Sequence, residues 1–404
     1  GTALLDGSFA ALAFIQNVQG GYGLQNATSI NMSGGGGLLV KDKIGATNFN
    51  INAGQVQIGD GTAATTSTTA TLEATNISIA AGAKLTFNRA EAYSNSSTIT
   101  GAGNLVQAGA GTLTLTGNNN ISGTTTVNAS TLQIGNGGTT GSLGTGDVIL
   151  NNNTNLKFVR AAATTITNNI SGAGNVITDI TGATGGDLTV AGNVSLTGAN
   201  TVTLKASGDI SVSASKSIAT ATGSVLLNSD SDASGSGAIV MNTGSSISTN
   251  GGNITLGGGS AGTGADFAIG NATNPNGVLL NGASLSSAGG DITLRGKSSA
   301  DASYYDYRSD GVRLRDADAN VNINSGTGKI SITGISQTTY ADSGNGVEIG
   351  TYGVPTYATT LTTSNSTASA INITGTGSSS NTPTNSNGVL LSAKASILST
   401  RSEE

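Results

Sequence analysis

The segment GAGNLVQAGAGTLTLTGNNNISGTTTVNASTLQI, from Gly101 to Ile134, decides the fold. Its short apolar groups alternate with Thr or Gln, as expected for strands with one buried face. Clusters of Gly, Asn and Ser separate them, and these residues tolerate the positive φ angles of tight turns. No apolar group exceeds about five residues, so none could form a stable hairpin by itself. The segment therefore predicts short strands within a longer repetitive sheet. The apolar groups are Leu105-Val106, Leu113 with Leu115, Val127, and Leu132 with Ile134.

The composition favours a parallel β-solenoid over ordinary globular domains. Among 404 residues there are 62 Gly, 3% aromatic and 9% charged residues, and neither Trp nor His. A narrow column of Val, Ile, Leu and Ala needs no large side chains, and each coil can bury its apolar face against its neighbours. Disorder is the less favoured alternative, because 36% hydrophobic residues in regular short groups exceed what disordered chains usually carry.

The same segment, about 35 of the 404 residues, resembles the passenger-associated repeat of bacterial autotransporters, and this resemblance indicates an autotransporter or filamentous-haemagglutinin-like adhesin passenger. The repeat pattern runs Gly-x-Gly, Leu, Gly-x-Gly-Thr-Leu-Thr-Leu-Thr-Gly-x-Asn, Ser-Gly, Thr and Gly-x-Leu. The sequence departs from it at Ile121 and Ser130. A fainter copy spans residues 170–204. The resemblance implies a right-handed parallel β-helix, an extracellular or cell-surface location, and passage through an outer-membrane transporter during secretion. The matching positions are Gly101, Gly103, Leu105, Gly109, Gly111, Thr112 to Gly117, Asn119, Ser122, Gly123, Thr125 and Leu132.

Apolar groups continue at short intervals along the chain, and no linker interrupts them. We expect one continuous solenoid with three segments: N-terminal coils over residues 1–98, passenger-repeat coils over 99–237, and coils with insertions over 238–404. A weak helical signal from Leu4 to Phe14 indicates a possible N-terminal cap, which would cover the open end of the stack.

The clearest internal repeat lies in the last segment and predicts three sides per coil. In NGVLLNGASLSSAGGDITLRG, from residue 276, Val278, Leu285 and Ile292 lie seven positions apart. Related copies begin at residues 238 and 310, and interrupted or truncated copies begin at 345 and 387. Three apolar groups per unit fit a three-sided coil.

Insertions recur between the third apolar group of one unit and the first group of the next. In a stack of coils such insertions would emerge along one edge. Another interruption runs from Thr351 to Ala370. We therefore predict a ridge of loops along one edge. The insertions are Gly257 to Gly277, Gly296 to Gly311, Gly334 to Gly346, and Thr376 to Gly388.

Tyrosines and charges concentrate in this ridge and supply the candidate ligand-binding residues. Six of eight Tyr fall between residues 304 and 357, and the segment from Arg295 to Asp318 carries ten charges, five of each sign. Loop Tyr offers a large contact area with a polar tip. The alternatives are that the Tyr cover the flanks of the solenoid and that the charges form surface ion pairs. The candidates are Tyr304, Tyr305, Tyr307, Arg308, Arg313, Tyr340, Tyr352 and Tyr357.

The charge and the missing residue types restrict partners and chemistry. A formal charge of −6 disfavours nucleic acid. The absence of Cys excludes disulfides. Gly-Gly-Asp at 185–187 and 289–291 resembles a calcium-binding nonapeptide, but the tandem nine-residue spacing is missing, so we predict no cofactor and no metal. No signal peptide and no apolar membrane helix is visible.

The sequence thus predicts a secreted or cell-surface β-solenoid that acts as an adhesin or structural stalk, without enzymatic activity. Its partners would be a glycan or protein of a host or matrix surface. A self-assembling extracellular filament, with the chain as its own partner, is the first alternative. The second is a polysaccharide-acting enzyme that uses paired carboxylates, with Asp306 beside Asp310 or Asp316 as the conceivable pair.

Overall fold

The computed structural model describes residues 2–5, 13–15, 27–62, 70–182, 185–300, 309–315, 318–338, 344–351, 356–378 and 386–399. These residues contain 42 short β-strands and no helix, so nothing in them is a helix long enough to cross a membrane. The helical signal from Leu4 to Phe14 is wrong where it can be compared, because Leu4 and Phe14 lie in strands. Both strands pair in parallel with strands of the next coil, and this pairing overrides the local signal.

The chain divides into two compact units. Unit one contains residues 1–160 and 167–175, and unit two contains residues 161–166 and 176–404. In each unit the strands form three parallel sheets. The described strands up to residue 87 alternate between sheets 1 and 2, and from Tyr93 onward the chain visits all three sheets in each coil. The predicted three-sided parallel β-solenoid is therefore confirmed in each unit.

Unit one contains nineteen of the described strands, and the strands of each sheet pair in the order in which they are named. Sheet 1 consists of β1 (Thr2–Leu5), β3 (Ala27–Met32), β5 (Lys43–Ile51), β7 (Thr71–Ile79), β10 (Thr98–Gly101), β13 (Asn118–Ile121) and β16 (Ser142–Gly144). Sheet 2 consists of β2 (Ala13–Ile15), β4 (Gly37–Val40), β6 (Gln55–Ile58), β8 (Lys84–Phe87), β11 (Asn104–Gln107), β14 (Thr125–Val127), β17 (Val148–Leu150) and β20 (Ile170–Gly172). Sheet 3 consists of β9 (Tyr93–Asn95), β12 (Leu113–Leu115), β15 (Thr131–Ile134) and β18 (Asn155–Arg160).

Unit two repeats the same three-sheet plan with longer connections. Sheet 1 consists of β19 (Thr164–Ile166), β22 (Leu188–Val190), β25 (Ile210–Val212), β28 (Ile239–Met241), β32 (Val278–Asn281), β35 (Val312–Arg315), β38 (Val347–Ile349) and β41 (Val389–Leu391). Sheet 2 consists of β23 (Val194–Leu196), β26 (Ser217–Thr220), β29 (Ser246–Ser248), β33 (Ser284–Ser286), β36 (Val321–Asn324), β39 (Thr359–Thr363) and β42 (Ala395–Ser399). Sheet 3 consists of β21 (Asn175–Ile180), β24 (Val202–Lys205), β27 (Val225–Ser229), β30 (Ile254–Gly258), β34 (Ile292–Lys297), β37 (Ile330–Ile335) and β40 (Ile371–Thr376), and the short β31 (Ala268–Ile269) pairs with β34.

The core of each unit is a narrow space filled by stacked aliphatic side chains. Val278, Leu285 and Ile292 are all buried, and each lies in a different sheet of unit two. Each pairs in register with an aliphatic residue of the next coil, at Val312, Ile323 and Ile330 in turn. Residues of the same shape thus repeat along each side. The prediction that these three positions share one spine is confirmed.

Close stacking also explains the glycines of the 101–134 repeat. A Cβ built on Gly111 would overlap with the backbone of Glu91 and Ala92 in the preceding coil. Only Gly allows two backbones to approach this closely. The repeat therefore alternates buried aliphatic residues, which fill the space between the sheets, with glycines, which let successive coils touch.

Candidate functional site

The site is the corner of unit two where a sheet 3 strand leads into the next sheet 1 strand, and we call it the insertion corner. It comprises residues 259–277, 298–311, 336–346 and 377–388. The described ends of every predicted insertion from Gly257 onward lie at this corner, so the prediction that the insertions share one edge is confirmed. The interruption from Thr351 to Ala370 is not one loop, because it contains β39, which pairs with β36. β39 consists of four Thr and one Leu, and its buried face includes Thr359 and Thr363. Because it contains so little apolar sequence, it does not look like a strand in the sequence.

A pair of glycines closes the base of three successive insertions. A Cβ on Gly334, in β37, would overlap with the carbonyl oxygen of Gly346, which directly precedes β38. The same contact joins Gly296 to Gly311 and Gly375 to Gly388. The chain therefore leaves and re-enters the coil at nearly one point. Because the coil closes at this point, the residues between can change without altering the stacked strands.

Buried Asn and Asp side chains connect the returning ends of these insertions, and we call this row the Asx ladder. The Asn276 Oδ1 atom accepts a hydrogen bond from the Asp310 backbone nitrogen at 2.9 Å. Asp310 Oδ1 in turn accepts from the Asn345 nitrogen at 2.8 Å, and Asn345 Oδ1 accepts from the Asn387 nitrogen at 3.1 Å. Each residue precedes a Gly and the first Val of a sheet 1 strand. The ladder thus fixes the point at which each insertion ends.

A buried charged cluster lies beside the Asx ladder. Asp310 and Glu348 are almost completely buried, and the Arg313 side chain is only 13% exposed. Arg313 Nε lies 3.3 Å from Glu348 Oε2 and 3.7 Å from Asp310 Oδ2. Burial raises the pKa of Asp310 well above its usual value, and the nearby Glu348 carboxylate raises this pKa further, while Arg313 opposes the rise. One cation faces two carboxyl groups, so this cluster favours retention of a proton.

The structure describes two of the eight candidate ligand-binding residues. Arg313 lies in β35 and is brought to Asp310 and Glu348, while Tyr357 is 38% exposed and precedes β39. Arg313 therefore lies in sheet 1, whereas Tyr357 lies just before a strand of sheet 2. Asp310, the conceivable catalytic residue, is completely buried, whereas Asp306 and Asp316 lie outside the described residues. The six candidates outside the described residues are Tyr304, Tyr305, Tyr307, Arg308, Tyr340 and Tyr352.

An acidic groove of about 520 Å³ lies at the same corner in earlier coils of unit two. Asp209 forms its wall, where its carboxylate accepts hydrogen bonds from Asn271 Nδ2 at 2.7 Å and from Asn274 Nδ2 at 2.6 Å. Burial raises the pKa of Asp209. Sequence reasoning missed the groove because Asp187, Asp209 and Asn274 belong to separate coils, more than 20 positions apart. Within the described ranges no group of three His, Cys, Asp or Glu is placed to hold a metal ion.

Comparison with known proteins gives two matches. The family model described as passenger-associated-transport-repeat matches residues 105–134. A protein named "Adhesin BmaC autotransporter", from Brucella suis biovar 1 (strain 1330), is 36% identical over 147 residues, which are 36% of this chain and 4% of that protein. This chain thus matches a small part of a much longer relative. No solved structure matches the chain.

These matches confirm the resemblance found in the segment from Gly101 to Ile134. The family model covers most of that segment, and the relative carries the name of an autotransporter adhesin. Residues 105–134 are thus similar to a passenger-associated repeat, and the similarity to part of an autotransporter adhesin supports an extracellular or cell-surface location.

Proposed function

We propose that this passenger-type chain acts as an adhesin, with a stacked-coil core that presents the insertion corner to a glycan or protein of a host or matrix surface. The observation that carries the proposal is the closed base of three of the four insertions, formed by glycine pairs such as Gly334 with Gly346. This base separates the loops from the core, so loop sequence can be devoted to recognition. Loops on a rigid scaffold are a common place for binding residues. An outer-membrane transporter would be the partner during secretion.

We assign recognition to the Tyr and Arg side chains of the insertions, with Tyr304, Tyr305 and Tyr307 as the central group. Aromatic side chains provide rigid contact area at a small entropic cost, and the Tyr hydroxyl can exchange hydrogen bonds with a polar surface. Arg308, Tyr340, Tyr352 and Tyr357 would extend this surface, and Arg313 would support it through its ion pairs with Asp310 and Glu348. Catalysis is not part of this proposal.

Binding of the purified chain to arrayed glycans, immobilised matrix proteins and epithelial cells tests the proposal. A triple variant with Tyr304→Ser, Tyr305→Ser and Tyr307→Ser should weaken binding at least about tenfold, since two or three aromatic contacts each contribute on the order of 1 kcal/mol. Ile149→Ser is the matched control, because Ile149 is an exposed apolar residue of unit one, at 41% exposure. Binding unchanged in the triple variant would refute the assignment, and no binding by the wild-type chain would refute the adhesin.

A self-assembling filament is the second candidate, and its contact surface would be the last described coil. Its apolar side chains are unusually exposed: Leu391 is 56% exposed, Leu398 49%, Val389 39% and Ile397 38%. In register, Leu391 pairs with Ile349 and Ile397 pairs with Leu361, and both of these partners are completely buried. A further parallel coil, from the same chain or from a second copy, would bury the exposed residues in the same way.

Electron microscopy and sedimentation without added ligand separate the two candidates. Filaments in the wild-type chain that disappear in a Leu391→Ser and Leu398→Ser double variant would favour self-assembly through this coil. Monomers that bind a surface and lose this binding in the Tyr304, Tyr305 and Tyr307 triple variant would favour the adhesin. Release of soluble products from a panel of polysaccharides would support the enzyme alternative instead.

A further inference from the structure

The acidic groove of unit two is assembled from four stretches of chain that meet where its coils pass into sheet 1. Asp187 and Asp209 directly precede β22 and β25, which are neighbours in sheet 1, so the two residues lie at the same corner of adjacent coils. Asp232 and Asn274 belong to the connections that follow β27 and β31. The volume of about 520 Å³ lies within the range of about 300–1,000 Å³ that is usual for small-molecule sites.

Hydrogen bonds hold the Asp209 carboxylate in one position in the wall of the groove. Its Oδ1 atom accepts from the Ala238 backbone nitrogen and from Asn271 Nδ2, both at 2.7 Å, and its Oδ2 atom accepts from Asn274 Nδ2 at 2.6 Å. Asn271 is held in turn, because its Oδ1 atom accepts from the backbone nitrogens of Thr273 and Asn274, both at 2.9 Å. The wall therefore needs little ordering when a ligand binds, which lowers the entropic cost of binding.

The lining of the groove is rich in hydrogen-bonding groups. Its described residues include three Asp, two Asn and six Ser or Thr, and none of them is Lys or Arg. Carboxylates accept hydrogen bonds from hydroxyl groups, and such charge-assisted bonds are stronger than bonds between neutral groups. Ser and Thr hydroxyls both donate and accept. A ligand with many hydroxyl groups matches this lining.

The charges of the groove select against acidic ligands. Asp187 and Asp209 are close together, since Asp187 Oδ1 accepts from the Asp209 backbone nitrogen at 2.9 Å. Burial raises the pKa of Asp209, and the charge of Asp187 raises this pKa further. A carboxylate or sulfate of a ligand would add another negative charge beside these two, with no cation in the described lining to compensate it.

We propose that the acidic groove binds a neutral glycan, whose hydroxyl groups donate to the aspartates and accept from the Ser, Thr and Asn side chains. This inference rests on the proposed adhesin function, and it adds a second contact site together with the class of sugar that the site accepts. The exposed side chains of Asp232 and Thr273 face the ligand in this site.

An array that pairs neutral glycans with sialylated glycans of the same core tests the proposal on the full chain. The wild-type chain should bind a neutral glycan at least about tenfold more tightly than its sialylated counterpart, because of the like charges. A double variant with Asp232→Ala and Thr273→Ala should bind this neutral glycan at least about tenfold more weakly, since it removes two hydrogen-bonding side chains. Asp266→Ala with Thr263→Ala is the matched control, because both residues are exposed, lie in the same insertion and are outside the groove lining. The control should bind like the wild-type chain.

The triple variant of Tyr304, Tyr305 and Tyr307 separates this inference from the proposed function. Glycan binding that is lost in the triple variant but kept in the Asp232 and Thr273 double variant would overturn the groove proposal and leave the adhesin proposal standing. Wild-type binding to matrix proteins but to no glycan would have the same meaning.

Hydrogen exchange with the neutral glycan added locates the site directly. Peptides that cover residues 185–189, 207–211 and 271–274 should exchange more slowly, in the triple Tyr variant as in the wild-type chain, because the groove lies in other coils. Unchanged exchange in these peptides would overturn the proposal. Oligolysine that binds the groove as tightly as the neutral glycan would also overturn it, because the groove would then attract cations without recognising a sugar.

Discussion

The passenger-repeat coils of unit one and the last coils of unit two have the same kind of aliphatic core, but they differ in the length of the connections between strands. Around Leu105 the coil is short, since Leu105 pairs with Thr125, 20 positions later. In unit two Val278 pairs with Val312, 34 positions later, and Val347 pairs with Val389, 42 positions later. Between Val278 and Val312 the extra residues lie at the insertion corner, whereas between Val347 and Val389 they are divided between that corner and residues 350–358, which connect sheet 1 to sheet 2. A solenoid can therefore lengthen its coils without widening its core.

The outer surfaces of the two regions differ as well. In sheet 1 of unit one, amide and hydroxyl groups bond to one another along the stack, with Asn50 Nδ2 donating to Asn31 Oδ1 and Ser78 Oγ donating to Asn50 Oδ1, both at 2.7 Å. In sheet 1 of unit two, outward positions carry Arg313 and Glu348, and Glu348 is buried. Position 348 is therefore interior, although the alternation of the strand places it on the outer face.

Substitutions of core residues should lower the free energy of unfolding the most, and the loss should be equal in the two regions. Leu132 and Ile292 are both completely buried in sheet 3 columns, one in each unit. Leu132→Ala and Ile292→Ala should each lower the free energy of unfolding by about 2–5 kcal/mol, because each removes apolar contacts and leaves a cavity. Urea unfolding followed by circular dichroism measures this.

Ile149→Ala is the control for the core variants, because Ile149 is 41% exposed, and its effect should stay within about 0.5 kcal/mol. A loss at Ile292 below about 1 kcal/mol, beside a full loss at Leu132, would show that the coils with insertions do not depend on the shared core.

A smaller effect should follow from crowding the base of an insertion. Gly334→Ala places a Cβ against the Gly346 carbonyl oxygen, and overpacking of this kind costs about 1–3 kcal/mol. Gly35→Ala in unit one is the matched control, because a Cβ there meets no atom within 4 Å. The control should be neutral or slightly stabilising. Thermal unfolding of both variants measures the difference, and equal midpoints would contradict the role given to the glycine pair.

Replacing Asp310 by Asn should change how stability depends on pH. The raised pKa of Asp310 means that the folded chain keeps a proton that the unfolded chain releases above about pH 3.9. Wild-type stability therefore falls as pH rises from about 4 to the raised pKa, by at most about 1.4 kcal/mol per pH unit. Asn cannot ionise, so Asp310→Asn lacks this loss and gains stability relative to wild type over that range.

Asp310→Asn also makes the Asx ladder uniform, and its Oδ1 atom can still accept from the Asn345 nitrogen. Asp318→Asn is the control, because Asp318 is 53% exposed and pairs with Arg315 at the surface. Unfolding midpoints compared over a pH series test the prediction. If the unfolding midpoints of wild type and Asp310→Asn differ by the same amount at every pH, the prediction is wrong. The Asp310 carboxyl group would then have the same pKa in the folded and the unfolded chain.

The core and the insertion corner could be predicted from the sequence because both repeat along it. Val278, Leu285 and Ile292 recur at similar spacing in neighbouring units, and periodic burial leaves a periodic pattern. β39 was missed because Thr at positions 359 and 363 occupies sites that aliphatic residues fill elsewhere. In sequence, such a strand resembles a polar loop.

The charged cluster and the acidic groove were not predictable by the same means. Arg313 and Glu348 lie 35 positions apart and meet only because their strands are neighbours in sheet 1. Alternation along β38 would place Glu348 on the outer, exposed face, yet it is buried. The division into segments 1–98, 99–237 and 238–404 of one continuous solenoid stays a prediction, as does the assignment of Tyr304, Tyr305 and Tyr307 to binding.

The smallest change in stability is expected when an insertion is shortened, so that its coil approaches the length of the coils in unit one. This change tests the comparison most directly. Ser378 and Ser386 flank residues 379–385, and the Ser386 hydroxyl donates to the Ser378 carbonyl oxygen at 3.2 Å. Both serines also bond to Gly344, so the two ends of the insertion are held together.

Replacing 379–385 with Gly-Gly should change the free energy of unfolding by less than about 1 kcal/mol, because loop-closure entropy varies slowly with length. Thermal unfolding measures this, with Gly334→Ala as the variant that disturbs the base of an insertion. A loss as large as that of Ile292→Ala would mean that the replaced residues stabilise the coil themselves, and the separation of loops from core would fail at this corner.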